Sequence, residues 1–308
     1  MRARHTRRMA ITVSLSTGLR DWITDNLDRG ADPGAMAGKL VEQQFDPKIA
    51  AGIIDTFVNA RAAGRPLPER SVQLDVEAPR YQYETPRIAA GNVIDAAGHP
   101  VWVLHRQRHP VVVTLERLFT DEECDRLVGM AAPRLHRSTV AHPGAAATSV
   151  EDYRTSDGMF FRLREDPFIA SLDERISALM GLPVENGEGL QVLRYLPGDH
   201  FAPHYDFLIP SNAANSESIA RSGQRVSTLI VYLNDVPEGG ETVFPEAGLS
   251  ITPRRGNALY FEYSNSRMQV DQLSLHAGAP VRHGEKWVAT KWMRTRKFVP
   301  ASGAPPSA

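Results

Sequence analysis

A chain of 308 residues with 35 Lys and Arg against 36 Asp and Glu has a formal net charge of -1, which excludes bulk charge as a drive toward nucleic acid. One cysteine, Cys124, excludes an internal disulfide framework and a thiolate zinc site, and fits a reducing, cytoplasmic setting. No apolar run approaches the ~18 residues of a membrane span, and a chain this long buries roughly 75% of its unfolded surface, enough to fold without disulfides or a structural metal.

Residues 1–17 are basic, with no acid before Asp21 and an apolar part broken by Thr12, Ser14, Ser16 and Thr17. They read as a disordered start rather than a cleaved leader, with Met9 as an alternative initiator. Residues 18–64 read as a small helical module. Leu19, Trp22, Ile23 and Leu27 fall at helical spacing, and Gly30 and Pro33 end that pattern. Met36, Leu40 and Val41 mark a second helix. A third starts near Pro47 and carries Ile49, Ile53, Ile54, Phe57 and Val58 on one face. Residues 65–100, rich in Pro, Arg and polar side chains, are expected to be a linker.

From 101 to 298 the pattern becomes that of one larger domain. Val101–Leu104 and Val111–Leu115 read as strands, Asp121–Val128 as a helix capped by Thr120, and Pro167–Met180 as another helix. Short β-rich runs then alternate with Gly, Pro and Asn turns: 190–195, 200–207, 226–233, 242–244, 258–261, 273–275 and 287–292. The fold class expected is α+β, a double-stranded β-helix (jelly roll) with supporting helices. The stretch Pro210–Ser218 reads as a mobile lid, and 299–308 as a disordered tail.

The chemistry is concentrated in four residues: His204, Asp206, His276 and Lys286. Residues i and i+2 of a strand share a face, so His204 and Asp206 can converge on one metal while Tyr205 points away. A distal His completes two imidazoles and one carboxylate, the set that leaves adjacent positions of Fe(II) open to a bidentate 2-oxo acid and dioxygen. Lys286, ten residues after His276, can neutralise the far carboxylate of that acid.

Glu188–Asp206, Arg225–Val236 followed by Gly239–Pro245, and Leu275–Trp292 closely resemble the metal-binding segments of prolyl 4-hydroxylases, which are Fe(II)- and 2-oxoglutarate-dependent dioxygenases. Arg154–Phe160 is similar to an R-T-S-x-G segment of the same family. The resemblance implies Fe(II) on His204, Asp206 and His276, with the C5 carboxylate of 2-oxoglutarate on Lys286, Tyr195 and Thr242. It places Trp292 beside the cofactor, and Arg225, Arg154 and Asp157 beside a substrate groove. It also implies dioxygen as co-substrate, ascorbate as reductant, and release of succinate and carbon dioxide. The expected partner is a proline-containing peptide or protein, with no nucleic acid or membrane; oligomeric state stays open. The single Cys and the helical module differ from the animal collagen-type enzymes, so the chain resembles the compact bacterial type more. Two alternatives remain: the same chemistry on a non-prolyl side chain, free amino acid or small metabolite, and a non-catalytic jelly-roll binding module.

Overall fold

The computed structural model describes residues 11–15, 17–42, 45–69, 71–74, 81–137, 155–209 and 213–301. They form two compact units. One is built on residues 11–74 with 209–219; the other holds the described residues from 81 to 208 and from 220 to 301.

The N-terminal unit is closed by its ends. Strand β1 (Ile11–Ser14) leads into helices α1 (Thr17–Asp28), α2 (Pro33–Glu42) and α3 (Pro47–Ala62), and β2 (Ser71–Leu74) returns antiparallel to β1. Asp46 caps α3 by accepting from the Lys48 and Ile49 amides, with Pro47 at the first helical position. Ile23, Met36, Leu40, Ile53, Ile54 and Phe57 meet Val72 and Leu74 in one core. The three expected helices are therefore present. Two expectations for the flanks need correction: the supposed disordered start contains β1, and the supposed 65–100 linker contains β2. Four-residue strands are too short to carry a periodic signal, and the burial alternation of Ser71–Leu74 is recognisable only once it is paired.

The second unit begins with β3 (Val93–Ala96), β4 (His99–Arg108), β5 (Val111–Glu116) and helix α4 (Asp121–Ala131). It continues through β6 (His136–Arg137), β7 (Asp157–Phe161), α5 (Pro167–Met180), β8 (Leu190–Tyr195) and β9 (Phe201–His204); helix α6 (Ala213–Ser222) is divided, its residues up to 219 grouping with the first unit and the rest with the second. The remaining strands are β10 (Arg225–Tyr232), β11 (Glu238–Gly239), β12 (Thr242–Phe244), β13 (Leu249–Ile251), β14 (Ala258–Glu262), β15 (His276–Gly278), β16 (Val281–His283) and β17 (Lys286–Arg294). They make a nine-stranded antiparallel sheet, β3-β4-β5-β14-β10-β17-β8-β7-β6, a four-stranded one, β13-β12-β15-β9, and a two-stranded pair, β11-β16. This is the jelly-roll core with supporting helices. The first strand, β3, also lies in the supposed linker.

Strand β17 shows how the layers are built. All nine of its residues are buried, as a central strand covered on both faces requires. Trp287, Ala289 and Met293 join the core that also holds Leu127 of α4 and Leu172 and Ile176 of α5. Each fully buried Leu, Ile or Met side chain of this core contributes about 1.5–3 kcal/mol. Lys291 on the same side pairs with Asp173 of α5 at 2.7 Å. Lys286, Val288, Thr290 and Trp292 alternate with these and line a cleft. Both helices start on side-chain caps: Thr120 and Glu123 form a capping box on α4, and Asp166 caps α5.

Three local expectations are revised. Leu273–Leu275 is not a strand: Gln272–Ser274 is a 3-10 turn and the strand begins at His276. The run at 200–207 is a strand only over Phe201–His204. Within the supposed lid, Pro210–Asn212 lie outside the described residues, and Ala213–Ser218 is helical, the first part of α6. Its Ala, Asn, Ser and Glu residues lack the apolar stripe by which a helix is recognised in sequence.

Candidate iron and 2-oxoglutarate site

The cleft opens between the two sheets. Gln191, Leu193 and Tyr195 of β8, Ile230 of β10 and the four inward residues of β17 line one side; Phe201, His204, Thr242 and His276 belong to the other. It encloses ≈ 470 Å³, open solvent at its mouth included.

His204 ends β9 and His276 begins β15, and the two are register partners across the antiparallel pair. Their rings lie 4.2 Å apart at 54°. Asp206 follows just beyond the strand end, and one ligand atom from each of the three lies within 4.8 Å of the others. Each ring is oriented by a backbone carbonyl: His204 Nδ1 meets Ala202 O at 2.9 Å and His276 Nδ1 meets Ser274 O at 3.0 Å. A carbonyl only accepts, so Nδ1 carries the proton in both rings and each Nε2 presents a lone pair. Both Nε2 atoms then face Asp206 oxygens at 3.6 Å. Lone pairs opposed in this way make no hydrogen bond and need a cation between them. The donor set therefore fits Fe(II).

The surroundings hold this set rigid. Thr228 Oγ1 donates to Asp206 Oδ2 at 2.6 Å, and the Tyr263 hydroxyl lies 3.0 Å from Thr228 Oγ1. Burial alone would raise the Asp206 pKa; positive charge at the His276 and His204 positions, Arg225 and the Thr228 hydroxyl outweigh it and hold the carboxyl below its usual range. Phe201 stacks on His204 at 3.6 Å, and Phe261 meets His276 edge-on at 4.7 Å.

At one end of the cleft Lys286 of β17 stands opposite Tyr195 of β8. Its ammonium lies 5.4 Å from the Tyr195 ring centre and 5.7 Å from that of Tyr232. Among the described residues no carboxylate comes within ion-pairing distance of it. Burial pulls its pKa down to about 8, with Glu241 partly offsetting. Thr242 Oγ1 accepts from the Tyr232 hydroxyl at 2.9 Å, leaving its own proton for a ligand. Gly240, at φ +71°, makes room for the lysine stem: a Cβ there would sit 3.3 Å from Lys286 Cδ.

The residues expected at a substrate groove fare differently. Arg225 Nε and Nη2 donate to Glu188 at 2.6 and 2.8 Å, and Nη1 donates to the Asp206 carbonyl at 3.3 Å. Its guanidinium lies 4.2 Å over the Trp292 ring. Arg294 Nε adds a second cation to Glu188 at 2.6 Å. Burial is the strongest influence on Glu188 and would raise its pKa, but the two arginines hold it low. Arg225 is thus a bracket between Asp206 and Trp292, with three nitrogens already engaged. Asp157 accepts from Arg194 Nη2 at 2.8 Å and is not among the lining residues. Arg154 lies outside the described residues. Trp292 does line the cleft, and its Nε1, like Gln191 Oε1, is buried without a hydrogen-bond partner among the described residues. Gln191, Thr228 and Glu188 were missed in the sequence because their roles arise from partners on other strands.

Residues 190–294 match the family model of the 2OG-Fe(II) oxygenase superfamily. Over 210 residues the chain is 38% identical to prolyl 4-hydroxylase 2 of Arabidopsis thaliana, covering 61% of this chain and 69% of that protein. Over 217 residues it is 37% identical to prolyl 4-hydroxylase 5 of the same plant, covering 64% and 72%. Among solved structures, the viral collagen prolyl hydroxylase of Paramecium Bursaria Chlorella virus-1 aligns with a TM-score of 0.47 at 28% identity, over 59% of this chain and 94% of that one. The chain belongs to the prolyl 4-hydroxylase family of the 2OG-Fe(II) oxygenase superfamily, and is a 2-oxoglutarate-dependent dioxygenase. Fe(II), 2-oxoglutarate and dioxygen are the reactants this membership implies. No helix among the described residues is long and apolar enough to cross a membrane.

Proposed function

We propose that this enzyme hydroxylates prolyl residues of a peptide or protein, with ascorbate as reductant. His204 Nε2, Asp206 and His276 Nε2 hold Fe(II), and Lys286 with Tyr195 and Thr242 holds the C5 carboxylate of 2-oxoglutarate. The observation that carries the reading is the convergence of three ligand atoms within 4.8 Å in a cleft that a buried lysine, without an ion-pair partner among the described residues, also lines. The prolyl preference is supported by the relatives, whose names place them among prolyl 4-hydroxylases.

Bound iron with 2-oxoglutarate and dioxygen supplies the oxidising power that inserts oxygen into a C–H bond, leaving succinate and carbon dioxide. The chain's own contribution is orientation and exclusion of water. The two carbonyls keep both imidazoles in the ligating tautomer, and Thr228 fixes which face of Asp206 is offered. Lys286 and Asp206 both line the cleft, so an acid anchored by its far carboxylate on the lysine would have its keto end free for the metal. Leu193, Ile230 and Val288 add apolar lining to the cleft, which favours exclusion of water. Arg225, bracketed by Glu188, acts by holding Trp292 and the Asp206 backbone. With one cysteine, Cys124, the chain has no internal disulfide to maintain, which is compatible with a cytoplasmic setting.

The test is mass spectrometry of proline-containing peptides incubated with Fe(II), 2-oxoglutarate, ascorbate and air, with succinate measured alongside and His204→Ala as control. One added oxygen on proline, matched by succinate and absent in the control, is the expected result. Succinate without peptide oxidation overturns the prolyl substrate and keeps the oxygenase.

A further inference from the structure

The two imidazoles of the proposed iron site are held in unequal ways. Ala202, whose carbonyl orients His204, lies inside strand β9 and is fixed by the sheet. Ser274, whose carbonyl orients His276, belongs to the 3-10 turn Gln272–Ser274, outside any strand. The position of that carbonyl therefore depends on what holds the turn.

Asp271 holds it. Its carbonyl accepts from the Ser274 amide at 3.1 Å and from Ser274 Oγ at 2.6 Å, and its Oδ1 accepts from the Leu273 amide at 3.0 Å. Its own amide donates to the Tyr263 carbonyl at 2.8 Å. The second carboxylate oxygen, Oδ2, accepts from the hydroxyl of Tyr83 at 2.8 Å. The Tyr83 ring is in turn wedged against His109, 4.2 Å between centres. Asp271 and Ser274 are 2% and 1% exposed, so water cannot take over these bonds.

We propose that Asp271 and Tyr83 are positioning residues for the metal ligand His276. The turn they lock presents the Ser274 carbonyl to Nδ1, keeping the proton there and the Nε2 lone pair directed at the metal. Without the carboxylate, the Leu273 amide and the Tyr83 hydroxyl lose their acceptor in a buried place and the turn relaxes. The imidazole then samples the Nε2–H tautomer, in which Nε2 cannot ligate. Tyr83 comes from the stretch that in sequence reads as a linker, so that stretch reaches the iron site. The inference rests on the reading of His276 as a ligand.

The probe is Mn(II), titrated into the full-length chain and followed by the electron paramagnetic resonance of the free aquo ion. The imidazole ¹⁵N spectrum gives the tautomer, and urea unfolding without metal gives the fold. Asp271→Ala is expected to raise the Mn(II) Kd about 10- to 100-fold and to shift the His276 signal away from Nδ1–H. Asp271→Asn, which keeps the shape and an acceptor for Leu273, should restore most of the affinity. Tyr83→Phe removes one bond only and should weaken binding about threefold. A folded Asp271→Ala protein with wild-type Mn(II) affinity and an unchanged tautomer overturns the proposal. If that variant does not fold, an unchanged Kd in Tyr83→Phe overturns it. Failure of the wild-type chain to bind Mn(II), or binding that survives His276→Ala, instead sinks the metal reading beneath it.

Discussion

His204 and His276 sit directly opposite one another on two paired strands, their rings 4.2 Å apart. A metal ion placed there links two strands that are otherwise joined by a short ladder, so its binding should be felt as stability. At 100 times its Kd the ion is expected to add about 2.7 kcal/mol to unfolding. Thermal unfolding with and without Mn(II), and after chelation, checks this; His276→Ala should lose the increment. An equal Tm in all conditions would contradict it.

Lys286 titrates in the working range. Burial has lowered its pKa to about 8, below the free value, so the free enzyme holds a neutral amine above that pH. Affinity for 2-oxoglutarate should be greatest below pH 8 and fall about tenfold per unit above it. Binding at pH 9 should take up a proton, visible by calorimetry in buffers of different ionisation enthalpy. The sign for stability is opposite. The unfolded chain binds the proton more readily between pH 8 and the free value, so this group's contribution to stability rises with pH across that window. Lys286→Ala should weaken 2-oxoglutarate binding by about 2–5 kcal/mol while leaving Mn(II) affinity nearly unchanged.

Gly240 carries a positive φ of +71°, and its missing side chain leaves space for the Lys286 stem. Gly240→Ala is expected to strain the backbone by about 1 kcal/mol or more and to push the ammonium off its place. The 2-oxoglutarate Kd should rise several-fold, with metal affinity unaffected. Titration of both ligands on one preparation checks the separation; loss of both would point to local unfolding.

Glu188 is the shared anion of Arg225 and Arg294. Glu188→Ala strands two buried guanidinium groups and should cost about 3–5 kcal/mol in urea unfolding. Arg225→Lys is no mild change, since a lysine cannot hold Glu188 with two parallel bonds while lying flat on Trp292. It should lower turnover on a peptide with little change in the 2-oxoglutarate KM.

The parts of this molecule that were legible in sequence are those with their own local signal. Helix α3 shows an apolar face after Pro47 and α4 a cap at Thr120, and the metal and lysine residues stand at a spacing that carries chemistry by itself. What was hidden depends on pairing. Strands β1 and β2 become strands by meeting one another, and Tyr83 matters through Asp271, almost two hundred positions away. Arg225 was expected to face a substrate because sequence gives no hint that Glu188 and Trp292 already occupy it. The apolar bracket Leu273 and Leu275 suggested a strand where Asp271 imposes a turn.

Strand β17 serves two masters, with Lys286, Val288, Thr290 and Trp292 turned to the cleft and Trp287, Ala289, Lys291 and Met293 turned to the core or to α5. A slip of one residue would put an indole where the ammonium belongs and drive a lysine into the helix layer. The register of this strand is thereby guarded twice, by apolar burial and by the Lys291–Asp173 pair. For an engineer the rule is arithmetic: substitutions meant to admit a different substrate belong at the even positions, and the odd ones are the scaffold's alone.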